Sequence, residues 1–193
     1  MYETSVGHNS PVIVDFAPMP NGSIPDAQVA AAATLGAFVR GCYGAPLATT
    51  HGSGQGGDFL VTLPMPGGAP ATIDRVLASE DYAATSQQRV RGFTLTAALS
   101  NGGSVDLLSG GAGSSIGAKF ISVLPAPVAD VVSVTLNVTA ARGSPFIREL
   151  AVYACDGLAA RLDAQWKAQG HPPAAHDWAP KQRYVRPWGR RHA

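Results

Sequence analysis

The residues best suited to acid/base chemistry are the adjacent carboxylates Glu80 and Asp81, with Asp15 far upstream and His8 beside Asn9. A working acid/base pair needs two carboxyls whose environments push their pKa values apart. Sequence neighbours on a turn point their side chains away from each other, so Glu80-Asp81 reads as a turn that caps or solvates a strand end. Asp15 reads as a strand-end hydrogen-bonding residue. His51, His171, His176 and His192 show no i, i+4 pairing and no nearby cysteine pair, so no metal and no cofactor is expected. The run from Gly52 to Gly57 is followed by no Lys-Ser or Lys-Thr and leads into a strand-like segment, which argues against a phosphate loop. Asn21-Gly22-Ser23 and Asn137-Val138-Thr139 fit the glycosylation acceptor pattern, which chance also produces.

These groups must be held by elements, and the pattern supplies them. Pro11 to Ala17 is a continuous apolar run bounded by turn formers, the signature of a strand covered on both faces. Ser23 and Asp26 have capping-box spacing, and Leu35, Phe38, Val39 and Cys42 recur on one helical face, which predicts a helix over about 26–42. His51 to Gly57 predicts a linker or exposed loop. Seven strand-like runs follow, Phe59–Leu63, Ile73–Ala78, Gln88–Ser100, Ser104–Ser109, Ile116–Val123, Val131–Ala140 and Phe146–Ala154, and their spacing predicts an antiparallel sandwich. Asn101-Gly102-Gly103 supplies the positive φ that a tight hairpin needs. Phe93, Leu95, Ile121, Val132, Val134, Leu136, Leu150 and Val152 are the expected core. Asp156 can cap a closing helix with Leu158, Leu162 and Trp166 on one face, ended by Gly170 and Pro172.

With 193 residues, 46% hydrophobic and only 14% charged, the chain can bury a core and is no disordered solvated segment. It is too short for a complete (β/α)₈ barrel plus a second domain. Residues 1–155 carry 7 Lys and Arg against 10 Asp and Glu, while residues 156–193 carry 7 against 3. No apolar run approaches the roughly 20 residues that span a bilayer, and no targeting signal is visible, so a soluble chain of unassigned compartment is expected. Cys42 and Cys155 could be bridged or reduced; their spacing matches no zinc or redox motif.

Several motifs occur in order. They are Ser5-Val6-Gly7-His8-Asn9-Ser10 with the run to Asp15, Cys42-Tyr43-Gly44, Ile73-Asp74-Arg75-Val76, Glu80-Asp81, Gln88 to Phe93, Ile116-Gly117-Ala118-Lys119 and Phe146 to Tyr153. Together they resemble the C-terminal portion of the α-L-fucosidase family of glycoside hydrolases. The resemblance covers residues 1–155 and implies a last barrel strand and helix over 1–50, a Gly-rich linker over 51–57, and a mainly β, galactose-binding-like antiparallel jelly-roll sandwich over 58–155. A helix and a basic tail over 156–193 lie beyond it. Pro11 and Ser104-Val105-Asp106-Leu107 depart from the family pattern. The resemblance puts His8 in a loop away from the catalytic face.

Retaining hydrolysis needs two carboxyls about 5–5.5 Å apart across the scissile bond. In the resembled family both lie upstream of the matched segment, so this chain alone is expected to lack fucosidase activity. Its expected role is a non-catalytic interaction or scaffold subunit of a larger assembly. The alternative is the C-terminal chain or fragment of a working α-L-fucosidase, lysosomal or secreted, with its barrel elsewhere. Because Trp166, Trp178 and Trp188 lie beyond the resemblance and Trp and Arg anchor interfaces, the partner-binding residues are expected to be Trp166, Trp178, Arg183, Tyr184, Arg186 and Trp188. With only five basic residues from Lys181 onward, a protein partner ranks above nucleic acid. A lectin-like role would need exposed aromatics, and Tyr82 is the only one in the expected loops.

Overall fold

The computed structural model describes residues 1–54, 59–85, 87–168 and 170. A short helix α1, Tyr2–Ser5, precedes an irregular stretch and the long helix α2, Asp26–Tyr43. Seven strands follow: β1 Ala48–Ser53, β2 Phe59–Pro64, β3 Ala71–Glu80, β4 Val90–Leu99, β5 Ser104–Asp106, β6 Phe120–Ala141 and β7 Phe146–Tyr153. A one-turn helix α3, Tyr82–Thr85, sits between β3 and β4, and α4, Leu158–Ala168, closes the described chain. All pairings are antiparallel.

The strands make two layers that share β6. Its first part pairs with β3, which continues through β7 to β1. Its second part lies between β2 and β4, and β4 pairs onward to β5. The sequence reading expects two strands here, Ile116–Val123 and Val131–Ala140; the structure merges most of both into one bent strand of 22 residues. Pro125 and Pro127, which have no amide to give a ladder, fall at the bend, where the register with β3 shifts and Asp130 takes φ 59°. Only a strand that changes layers can use such a corner, and that is a tertiary fact.

The core lies between the layers. Phe93, Leu95 and Ala97 alternate with half-buried Thr94, Thr96 and Ala98 and meet Val134, Leu136, Ile73, Val76, Leu150 and Val152. Val132, expected in this set, is only half-buried because it sits on the other side of the pleat from Val131 and Val134. The β3–β7 layer is covered on its outer face too, since Leu77, Ile121, Ala151 and Tyr153 pack with Cys42, Cys155, Tyr2, Phe38, Tyr43 and Leu158. This two-sided burial is why those strands read as nearly continuous apolar runs. The β4–β5 hairpin forms where expected, with Gly102 at φ 83° and the Leu99 amide donating to Gly103 O at 2.9 Å.

Three local expectations change. Pro11 to Ala17 forms no strand, because among the described residues nothing flanks it to complete a ladder. Ser23 does not cap α2; its amide and hydroxyl both donate to Asn21 Oδ1, and Pro25 precedes the helix. The glycine-rich stretch begins inside a strand, for His51 to Ser53 belong to β1, which also starts the sheet ten residues before Leu60 of β2 settles.

Candidate functional site

The conserved-looking polar motifs gather at one junction that holds loops, not substrate. Glu80, expected as a solvated turn residue, is 2% exposed. Its Oε1 accepts from the Arg89 amide at 2.6 Å and the Val90 amide at 3.0 Å, and Oε2 accepts from the Gly117 amide at 2.8 Å. A buried carboxylate is tolerable only with such bonds. Gly117 stands at φ 69°, and a Cβ there would strike Asn9 Oδ1, so glycine is required on both counts. Asn9 donates from Nδ2 to Ile116 O at 2.9 Å and accepts at Oδ1 from the Lys119 amide at 3.0 Å. Asp81 turns away, accepting from the Ala83 amide at 2.9 Å. The adjacent carboxylates therefore form no acid/base pair. His8 rests edge-on against Phe120, with ring centroids 5.7 Å apart, and the desolvation holds its pKa below the usual 6.5.

A second polar cluster clamps the N-terminal helices to the sandwich. Glu3 Oε1 accepts from Arg75 Nε and from the Tyr43 hydroxyl, both at 2.6 Å. Asp74, nearly fully buried, accepts from the Cys155 amide at 2.8 Å and lies 3.4 Å from Arg75 Nη1. Burial and the neighbouring Glu3 carboxylate push the Tyr43 phenol far above its ordinary pKa; burial first, then Glu149, push Tyr153 up to about 12. Cys42 and Cys155, whose state the sequence leaves open, are bonded to each other, with Cα atoms 5.0 Å apart. This covalent link joins the end of α2 to the chain just after β7.

Outside the clamp, apolar surface is left bare. Ile13 is 84% exposed, and Val14, Phe16, Met19 and Val29 are exposed as well. Of the expected α2 face, Cys42 is buried, while Leu35, Phe38 and Val39 are only half-buried. Asp15 lies within this exposed stretch.

At the opposite margin, a shallow groove of about 430 Å³ runs along the sheet edge formed by β1 and the start of β7, with Asp81 at its end. Its exposed aromatic is Phe146, which the sequence places inside a strand run. Tyr82, the aromatic expected in the loops, is half-buried in α3.

Of the expected partner-binding residues, Trp166 lies on α4 and is half-buried, on the same helix face as Leu158 and Leu162. Trp178, Arg183, Tyr184, Arg186 and Trp188 lie outside the described residues. No described helix is long and apolar enough to cross a membrane.

No protein-family model and no curated protein matches this chain. Solved structures do. A glycoside hydrolase 29 family member from an unknown rumen bacterium is 29% identical with a TM-score of 0.67, over 80% of this chain and 27% of its own. A Bacteroides thetaiotaomicron protein assigned as an α-L-fucosidase is 24% identical with a TM-score of 0.69, over 79% of this chain and 32% of its own. A Ruminococcus gnavus glycoside hydrolase 29 fucosidase, solved with fucose, is 19% identical with a TM-score of 0.66, over 79% and 35%. The chain thus has the fold of a β-sandwich domain similar to the C-terminal portion of fucosidase-like glycoside hydrolases. It spans about a third of the length of these proteins.

Proposed function

We propose that this chain is a non-catalytic, fucosidase-derived sandwich that serves as an interaction or scaffold part of a larger assembly. The observation carrying this reading is the bare apolar stretch from Ile13 through Phe16 and Met19, continued onto α2 at Val29. An exposed apolar surface of this kind ordinarily marks a contact with another polypeptide. The occupant we assign to it is the barrel part of a fucosidase-like hydrolase, the portion by which the similar structures exceed this chain. The tail adds a second contact through Trp178 and Trp188, with Trp166 at its root and Arg183, Tyr184 and Arg186 beside them, since an aperiodic segment with spaced aromatics has no core of its own to fill.

A second reading is favoured by that same difference in length: the chain is the C-terminal part of a working α-L-fucosidase, hydrolysing terminal α-L-fucosides with retention. One experiment separates them. The purified chain is assayed on a chromogenic aryl fucoside, alone and as the complex that co-purifies with it from native extract. Both readings expect no turnover by the chain alone, because it has no acid/base pair of the required geometry. Turnover by the complex selects the second. Ile13→Asp with Phe16→Asp should release the partner while the sandwich stays folded, and deleting residues 171–193 should weaken the same capture. Undiminished capture by both variants counts against these surfaces.

A further inference from the structure

The β1–β7 edge arranges five side chains as a small recognition site. Ser53 stands directly opposite Phe146 in the ladder, and the Asp81 amide donates to Phe146 O at 2.8 Å, so Asp81, Phe146 and Ser53 form one row across three chain segments. Arg148 is two residues beyond Phe146 and His51 two before Ser53, which puts them on the same outward face by the alternation of the pleat. Ile147 between them is buried at 2%, whereas Phe146 is 38% exposed. A hydrophobic ring left open at a strand end is thus ringed by a carboxylate, a hydroxyl, an imidazole and a guanidinium, all lining the one groove.

We propose that this groove binds a neutral pyranose unit of a glycan. A pyranose has an apolar C–H face that can lie on an aromatic ring, and equatorial and axial hydroxyls that bond to charged planar groups at its rim. One guanidinium and one carboxylate balance in formal charge, which suits a neutral sugar and disfavours a sulfated or phosphorylated one. The volume lies at the lower end of the 300–1,000 Å³ range of small-molecule sites, enough for one or two sugar units and too little for a folded partner. The site is separate from the surface around Ile13, and neither proposal depends on the other.

The test uses the full ¹⁵N-labelled chain titrated with methyl α-L-fucoside, methyl β-D-galactoside and methyl α-D-mannoside, with glycerol as the control polyol. Saturable amide shifts confined to residues 51–53, 81 and 146–148 are expected with at least one glycoside and not with glycerol. Phe146→Ala should weaken that binding at least about tenfold, and Phe146→Trp should keep or tighten it. Arg148→Gln should weaken it with an unchanged melting temperature. If Phe146→Ala does not fold, the Trp and Gln variants decide the matter. The absence of saturable shifts with all three glycosides, equal shifts with glycerol, or indifference to both Phe146→Trp and Arg148→Gln overturns the proposal.

Discussion

Val131 to Val138 and Val12 to Phe16 are both dominated by β-branched and aromatic residues, yet they meet opposite fates. In β6 the former lies between β2 and β4, so its backbone is paired on both sides and Val131, Val134, Leu136 and Val138 are all fully buried. The latter has no strand partner among the described residues and leaves its side chains in solvent. Apolar composition creates the incentive to bury a strand, but the ladder makes burial possible, because unpaired backbone N–H and C=O groups cannot be taken out of water cheaply.

The contrast can be broken most directly by truncation on each side. Leu136→Ala should cost about 2–5 kcal/mol in urea unfolding, the usual loss for a buried leucine. Ile13→Ala in the isolated chain should stay within about 0.5 kcal/mol of the parent, as exposed positions do. Equal costs would mean the N-terminal stretch is packed after all. A smaller loss, about 1–3 kcal/mol, is expected for Glu80→Gln, since its amide offers a donor where one of the three backbone N–H groups needs an acceptor. Hydrogen exchange at the Gly117 amide should quicken in that variant more than exchange in β5.

The clamp gives a pH-dependent measure of the same difference. Folding raises the Tyr153 pKa from 10.0 to about 12, and that of Tyr43 as well. The unfolded chain therefore loses these protons first, so stability is fully present below about pH 10 and falls as pH rises from there through 12. Tyr153→Phe should flatten the fall; an unchanged alkaline slope would show that Tyr153 ionises freely in the folded chain. The weakest effect is expected on the outer face, where Thr62 and Thr135 share a hydroxyl contact at 3.2 Å. Thr62→Ala should cost only about 0.2–1 kcal/mol, read as a small drop in melting temperature.

What the sequence made legible follows locality. The helix at 26–43 and the hairpin at Gly102 depend on neighbours in the chain, and both occur within a residue or two of expectation. The alternation of Phe93, Leu95 and Ala97 likewise needs nothing beyond its own strand. The continuity of β6 escaped because a proline-bearing corner looks the same as an interstrand turn until both layers exist. Glu80 escaped because its three donors come from two loops, the farther of them 37 residues away. Phe146 escaped for a related reason: an aromatic heading a strand run looks like core, and only the edge position of β1 leaves it open to solvent. The bonding of Cys42 to Cys155 could not be read from a separation that carries no motif.

That bond also fixes how the molecule would bear load. Its two cysteines stand 113 positions apart and enclose all seven strands between them. A pull applied between residues 1 and 193 would run along α2, cross from sulfur to sulfur and leave through α4, so tension bypasses the sandwich entirely. Partners tugging on the apolar N-terminal stretch and on the tail could straighten both ends without peeling a single strand. For the same reason a protease cut anywhere in the enclosed loops yields two pieces that stay one covalent molecule, separating only on a reducing gel.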